Sequence, residues 1–146
     1  MASHEATFAA GGEPHWLPPD QLTHLHAEAL GEGQVGPQLA DLSGVERALQ
    51  RPRQLYSYHD ERDVVRLACA ILVGLIEEKP FAQHNLGTGV AALMLFLEVN
   101  GYRWAGPDGP VLAAYVKALA DGRYTEEGLA ETLRPDIYPT QGSGAA

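Results

Sequence analysis

The side chains able to do chemistry gather in one decapeptide, Lys79-Pro80-Phe81-Ala82-Gln83-His84-Asn85-Leu86-Gly87-Thr88, set between two strongly apolar stretches. An amine, a neutral amide and an imidazole stand close together there, in Lys79, Gln83 and His84. If the end of the decapeptide opens a helix, the backbone N–H groups of Asn85, Leu86, Gly87 and Thr88 lack intrahelical partners and the positive end of the helix dipole faces the loop. Such a terminus can cradle an anion such as a phosphate. His84 could act as a base or meet a phosphate, because an imidazole titrates near neutral pH. Lys79 could act as a base only if burial or a neighbouring cation lowered its pKa far below the usual value of about 10.4.

The remaining candidates have stronger structural readings. His24 and His26 stand two apart on a helical pattern, so they face different directions and make a poor metal pair; His26 reads as a packing or hydrogen-bonding residue. The lone Cys69 lies in an apolar run, which excludes a disulfide framework and a Cys-x-x-Cys metal site, and no metal ligands are assigned. Tyr56-Ser57-Tyr58-His59 fits an aromatic-rich loop covering core as well as it fits a partner groove. Arg51, Arg53, Arg62 and Arg66 are dispersed in the manner of a solvated face.

Helices must position the loop. Val64, Val65, Ala68, Ile71, Leu72, Leu75 and Ile76 recur at helical spacing, predicting a long amphipathic helix that begins at Asp60 or just after and runs to Glu78, stopping before Pro80. Gly87 to Asn100 is apolar almost all round, as a central helix would be, and Asn100-Gly101 suits a left-handed stop. A first helix follows Pro18-Pro19-Asp20, carries Leu22, Leu25, His26 and Leu30, and ends at Gly31 and Gly33. A short helix capped by Ser43 carries Val45, Ala48 and Leu49 and stops before Pro52. Two more run from Asp108 to Ala120, with Val111, Leu112, Tyr115, Val116 and Leu119 on one face, and from Thr125 to Arg134. With no convincing alternating run, the fold class is all-α or nearly so.

The chain's 146 residues suit one domain. Residues 1–15 and 136–146 read as tails and 16–135 as the folded unit. A net charge of −9, from 19 acidic and 10 basic residues, argues against a phosphate backbone or an anionic membrane surface as partner. The N-terminus lacks the apolar core of a signal peptide and no segment reaches membrane-spanning length, so the expected location is the cytoplasm.

The decapeptide resembles the Fic/Doc signature, which runs His, any residue, Phe, any residue, Asp or Glu, Gly or Ala, Asn, Lys or another residue, Arg, Thr; Pro80, Phe81, Asn85 and Thr88 match. Phe96-Leu97-Glu98-Val99-Asn100-Gly101-Tyr102 is similar to the Phe-Leu-x-x-Asn-Gly-Tyr run of the death-on-curing (Doc) branch. Leu25-His26-Ala27-Glu28, Val45 to Pro52, and Ala120-Asp121-Gly122 through Leu133 resemble further segments of that branch in the same order.

The resemblance implies a helical bundle whose signature loop precedes the central helix, and a toxin–antitoxin setting. It implies transfer of AMP or phosphate from ATP with Mg²⁺ to a protein hydroxyl, and as partner an antitoxin peptide or a translation factor. In that alignment Lys79 stands where the family has its basic His, Gln83 where it has the acidic Mg²⁺ ligand, and Leu86-Gly87 where the Doc branch has a Lys-Arg pair that grips phosphates. A neutral amide is a poor ligand for a hard dication, and each lost charge-assisted bond removes about 1.5 to 3 kcal/mol of ligand stabilisation. Three readings follow. One is a catalytically impaired Doc-like scaffold acting through protein binding. Another is an active transferase with a rearranged site using Lys79 or His84. The third is a likeness of architecture alone.

Overall fold

The computed structural model describes residues 12–30, 41–107 and 109–140. Its elements are α1 (Pro19–Leu30), α2 (Leu42–His59), α3 (Val64–Glu78), α4 (Asn85–Val99), β1 (Tyr102–Trp104), α5 (Pro110–Ala120), α6 (Glu126–Leu133), a 3₁₀ turn (Arg134–Asp136) and β2 (Ile137–Pro139). The class is all-α. The stop at Gly31 and Gly33, the start at Asp108, and residues 1–11 and 141–146 of the expected tails lie outside the described residues.

α3 is the most enclosed helix: every residue from Val64 to Leu75 except Arg66 is buried. It packs against α2, α4 and α6. α4, expected at the centre, buries Thr88, Gly89, Ala92, Leu93, Phe96 and Leu97, with Val90 and Met94 only partly covered, and packs on α3, α1 and β1. The difference follows from position: α4 leaves the side of its first turn to a cleft, whereas α3 lies between three helices, α2, α4 and α6. Among the described residues no helix is long and apolar enough to cross a membrane.

Several helix boundaries depart from the sequence expectation. α2 does not stop before Pro52 but runs through it to His59, and it starts after Asp41, not Ser43. A proline inside a helix costs about 3 kcal/mol through its missing N–H and its ring. Burial of Val45, Ala48, Leu49 and Pro52 on one stripe offsets that cost. The carbonyl at Ala48, which would have received the missing bond, lies against Gly74 of α3; a Cβ added at Gly74 would come within 2.9 Å of both Cα and O of Ala48. Asp60, the expected start of α3, instead closes α2 in the left-handed region at φ 56°, its N–H donating to Leu55 O. Asp63 caps α3, its carboxylate accepting from the Val65 N–H at 3.0 Å.

The chain's ends contribute more than the tails expected. Tyr102–Trp104 and Ile137–Pro139 form an antiparallel pair with Trp104 opposite Ile137. Segments of three residues are too short to show a period of two, and one of them falls in the expected tail. Asn100 donates to Phe96 O at 2.8 Å and His15 O at 3.1 Å and accepts from the His15 N–H at 2.8 Å, which docks the chain ahead of Trp16. On α5, Leu112 and Val116 are buried but Val111 and Tyr115 are exposed, so the apolar face is narrower than expected. α6 is capped by Thr125, whose hydroxyl accepts from the Gly128 N–H at 2.9 Å. It is tied to the rest by Arg51–Glu126 at 2.7 Å and Arg134–Asp63 at 2.6 Å.

Candidate functional site

The loop between α3 and α4 is bracketed by two non-glycine residues in the left-handed region, Lys79 at φ 45° and His84 at φ 67°. That conformation costs an L-residue roughly 1 to 2 kcal/mol, so its neighbours must impose it. Lys79 caps α3, its N–H donating to Leu75 O at 3.0 Å. His84 is the residue before the first turn of α4, which begins at Asn85, ahead of the expected Gly87.

Asn85 closes the turn between them. Its Nδ2 donates to Phe81 O at 2.8 Å and its Oδ1 accepts from the Phe81 N–H at 3.1 Å, so one amide satisfies both backbone groups of a buried residue. Phe81 is held on its other side by His26, whose ring lies 3.9 Å away, centroid to centroid, and 7° from parallel. Nε2 of His26 lies 2.9 Å from Gln83 O, so as an N–H it donates to that carbonyl. The Asp41 N–H donates to Pro80 O at 2.8 Å, which joins the approach to α2 to the same loop. The packing role expected of His26 is therefore a specific one: it fixes the loop from α1.

In front of the loop lies a cleft of about 570 Å³. Ile76, Leu86 and Ala120 supply its apolar walls, and Lys79, His84 and Asp121 its polar rim, with Asn85 and Gly87 completing the lining. Of the residues singled out in the sequence, Lys79, His84, Asn85, Leu86 and Gly87 meet at this cleft. Gln83 and Thr88 are not in its lining. Gln83 has an exposed side chain and a backbone carbonyl engaged by His26. The N–H of Thr88 donates to His84 O at 3.0 Å, so it is withdrawn from the expected anion cradle, and its side chain is buried. Asn85, Leu86 and Gly87 remain as the terminal N–H groups of α4.

Ile76, Ala120 and Asp121 were missed by reasoning from the loop's local sequence. Asp121 follows α5, far along the chain, and only the tertiary fold brings it to the rim. Its carboxylate accepts from Lys117 Nζ at 3.1 Å and stands 3.5 Å from an Arg123 nitrogen; the Lys117 bond, ahead of other influences, holds its pKa below the usual carboxylate value. Lys79 is exposed and has no ion pair or hydrogen bond through its amine among the described residues. Among those residues no group of three or more His, Cys, Asp or Glu side chains is arranged to hold a metal ion.

The fold is all-α, with a helix-opening loop braced by its own asparagine. No family model matches the chain. It is similar to the protein named Protein kinase doc of Escherichia phage P1, with 25% identity over 118 residues, 81% of this chain and 92% of that protein. This similarity supports a Doc-like relationship.

Proposed function

We infer that the protein is a Doc-like member of a toxin–antitoxin system whose transferase chemistry is impaired and whose scaffold acts by binding another protein. The observation that carries this reading is the contrast within one loop. Its frame is fully built, by the Asn85–Phe81 bonds, the His26–Phe81 stack and the His26–Gln83 contact. The side chains that phosphate chemistry would require are replaced. Among the described residues lining the cleft, Lys79 is the one lysine or arginine and Asp121 the one carboxylate, and Asp121 is already engaged by Lys117 and Arg123. Gln83, aligned with the acidic residue of the resemblance, carries an exposed neutral amide outside the cleft lining, and Leu86 and Gly87, aligned with its cationic pair, line the cleft with an aliphatic side chain and bare backbone.

Mg²⁺-ATP therefore does not fit this donor set. Among the described lining residues a triphosphate brought here would meet one exposed ammonium, Lys79, and one carboxylate, Asp121, that is already engaged. A frame that persists without that chemistry suits recognition of a protein, such as an antitoxin peptide or a translation factor.

Incubating the wild-type chain with γ- and α-labelled ATP, Mg²⁺ and a cytosolic extract is expected to label no protein. Replacing Lys79 by His, Gln83 by Asp, Leu86 by Lys and Gly87 by Arg together restores base, metal ligand and clamp as a unit, since such groups do not act one at a time. That variant is expected to gain measurable nucleotide binding. Labelling by the wild type that is lost in His84→Ala or Lys79→Ala would overturn the reading in favour of a rearranged active site.

A further inference from the structure

We propose that the cleft at the head of α4 receives the carboxy-terminal residue of a partner chain, with an aliphatic side chain between Ile76, Leu86 and Ala120 and the terminal carboxylate at Lys79. This rests on the reading that the cleft no longer serves a triphosphate. The cleft's volume of about 570 Å³ falls in the range of ligand sites, large enough for a few residues of extended chain. Its walls are aliphatic and only partly covered by the protein's own side chains, so an apolar group entering it removes Ile76 and Leu86 from water as well as itself.

Charge selects the rest of the occupant. Lys79 has no ionic partner among the described residues. On the opposite rim Asp121 is already paired with both Lys117 and Arg123, so it adds no net negative charge to the cleft. Among the described residues lining the cleft, Lys79 is thus a cation with no carboxylate partner, in a molecule whose net charge is −9. A polyacidic segment would be repelled by the whole and a triphosphate under-neutralised by the part, whereas one carboxylate matches one ammonium. A carboxylate and an aliphatic side chain borne by the same residue is the chemistry of a chain terminus ending in Leu, Ile or Val.

The test is an amide-resolved NMR titration of the full chain with N-acetyl-Gly-Ala-Leu bearing a free carboxylate. Saturable shifts at Leu86, Gly87 and Ala120 are expected. The same peptide with an amidated terminus should bind about tenfold to a hundredfold more weakly, since it loses the charge-assisted contact. Lys79→Gln should weaken the free acid by a similar factor and leave the amide unchanged. Leu86→Asp should weaken both, and an otherwise unshifted spectrum certifies that each variant is folded. Equal binding of acid and amide, shifts confined to another face, or no binding at about 10 mM peptide would overturn the proposal. A parallel Mg²⁺-ATP titration separates the two readings. If neither ligand binds, the carboxylate site is wrong and the impaired-scaffold reading stands; if Mg²⁺-ATP saturates the same amides, both are wrong.

Discussion

Asn85 holds Phe81 by both ends of its amide, so the two residues at the ends of that turn act as one unit. Asn85→Ala leaves the N–H and C=O of a buried residue unpaired and should cost about 1 to 3 kcal/mol in thermal or urea unfolding. Asn85→Asp keeps an acceptor for the Phe81 N–H but loses the donor to Phe81 O, and should fall between wild type and alanine. His26→Phe preserves the stack and removes the contact to Gln83 O, so its effect should concentrate in faster amide exchange across residues 81–87. Cys69 tests a different kind of burial: enclosure in α3, ahead of the nearby Glu126 charge, raises its pKa strongly. Native protein should resist iodoacetamide at neutral pH, and the thiol should react once the chain is unfolded; fast native alkylation would contradict the packing of α3. At this scale the sequence made Lys79, His84 and Asn85 legible, because they are adjacent in one motif. It could not show that His26 braces the loop or that Asp121 reaches its rim, since both relations join residues distant along the chain.

Helix packing sets a sharper contrast between two glycines. At Gly74, where α3 passes over Ala48, an added Cβ would come within 2.9 Å of backbone atoms that cannot swing aside, so Gly74→Ala should destabilise by about 1 to 3 kcal/mol. At Gly87 nothing lies within 4 Å of the same added atom, and Gly87→Ala should be neutral or stabilise by up to about 1 kcal/mol. Similar melting temperatures for the two variants would refute the α2–α3 contact. Leu97→Ala, at a fully buried position of α4, should cost about 2 to 5 kcal/mol, whereas exposed Val99→Ala should change little. The long apolar helices were legible because their periodicity is sustained. The passage of α2 through Pro52 was not, because local propensity speaks against it and the compensating contact with Gly74 is tertiary. The β1–β2 pair was illegible for a simpler reason: each segment has three residues and the pairing partner lies across α5 and α6.

Over the whole molecule, ionic contacts fasten α6 and the chain's closing turn to the helical core. Arg134, in the 3₁₀ turn, meets Asp63 at the start of α3 and Glu131 on α6, both with little room for water on the arginine side. The bond from Arg134, ahead of its Coulombic attraction, lowers the Glu131 pKa, as Lys117 lowers that of Asp121. Carboxylates whose folded pKa lies below the unfolded value contribute their stability above the unfolded value, about 3.9 to 4.3, and lose it as pH falls through the folded one. The melting temperature should therefore drop as pH is lowered below about 4, and Arg134→Gln should lower it at neutral pH while shrinking that acid-side drop. In a chain of net charge −9, Lys79 stands at the cleft as a cation with no ionic partner among the described residues. Whether that cleft still handles a nucleotide is the central question, and calorimetric titration of the wild-type chain with Mg²⁺-ATP addresses it most directly. The impaired-scaffold account predicts no saturable heat up to millimolar nucleotide, with saturable binding appearing in the quadruple variant that combines Lys79→His, Gln83→Asp, Leu86→Lys and Gly87→Arg. Saturable micromolar binding by the wild type, competed by ADP, would contradict it.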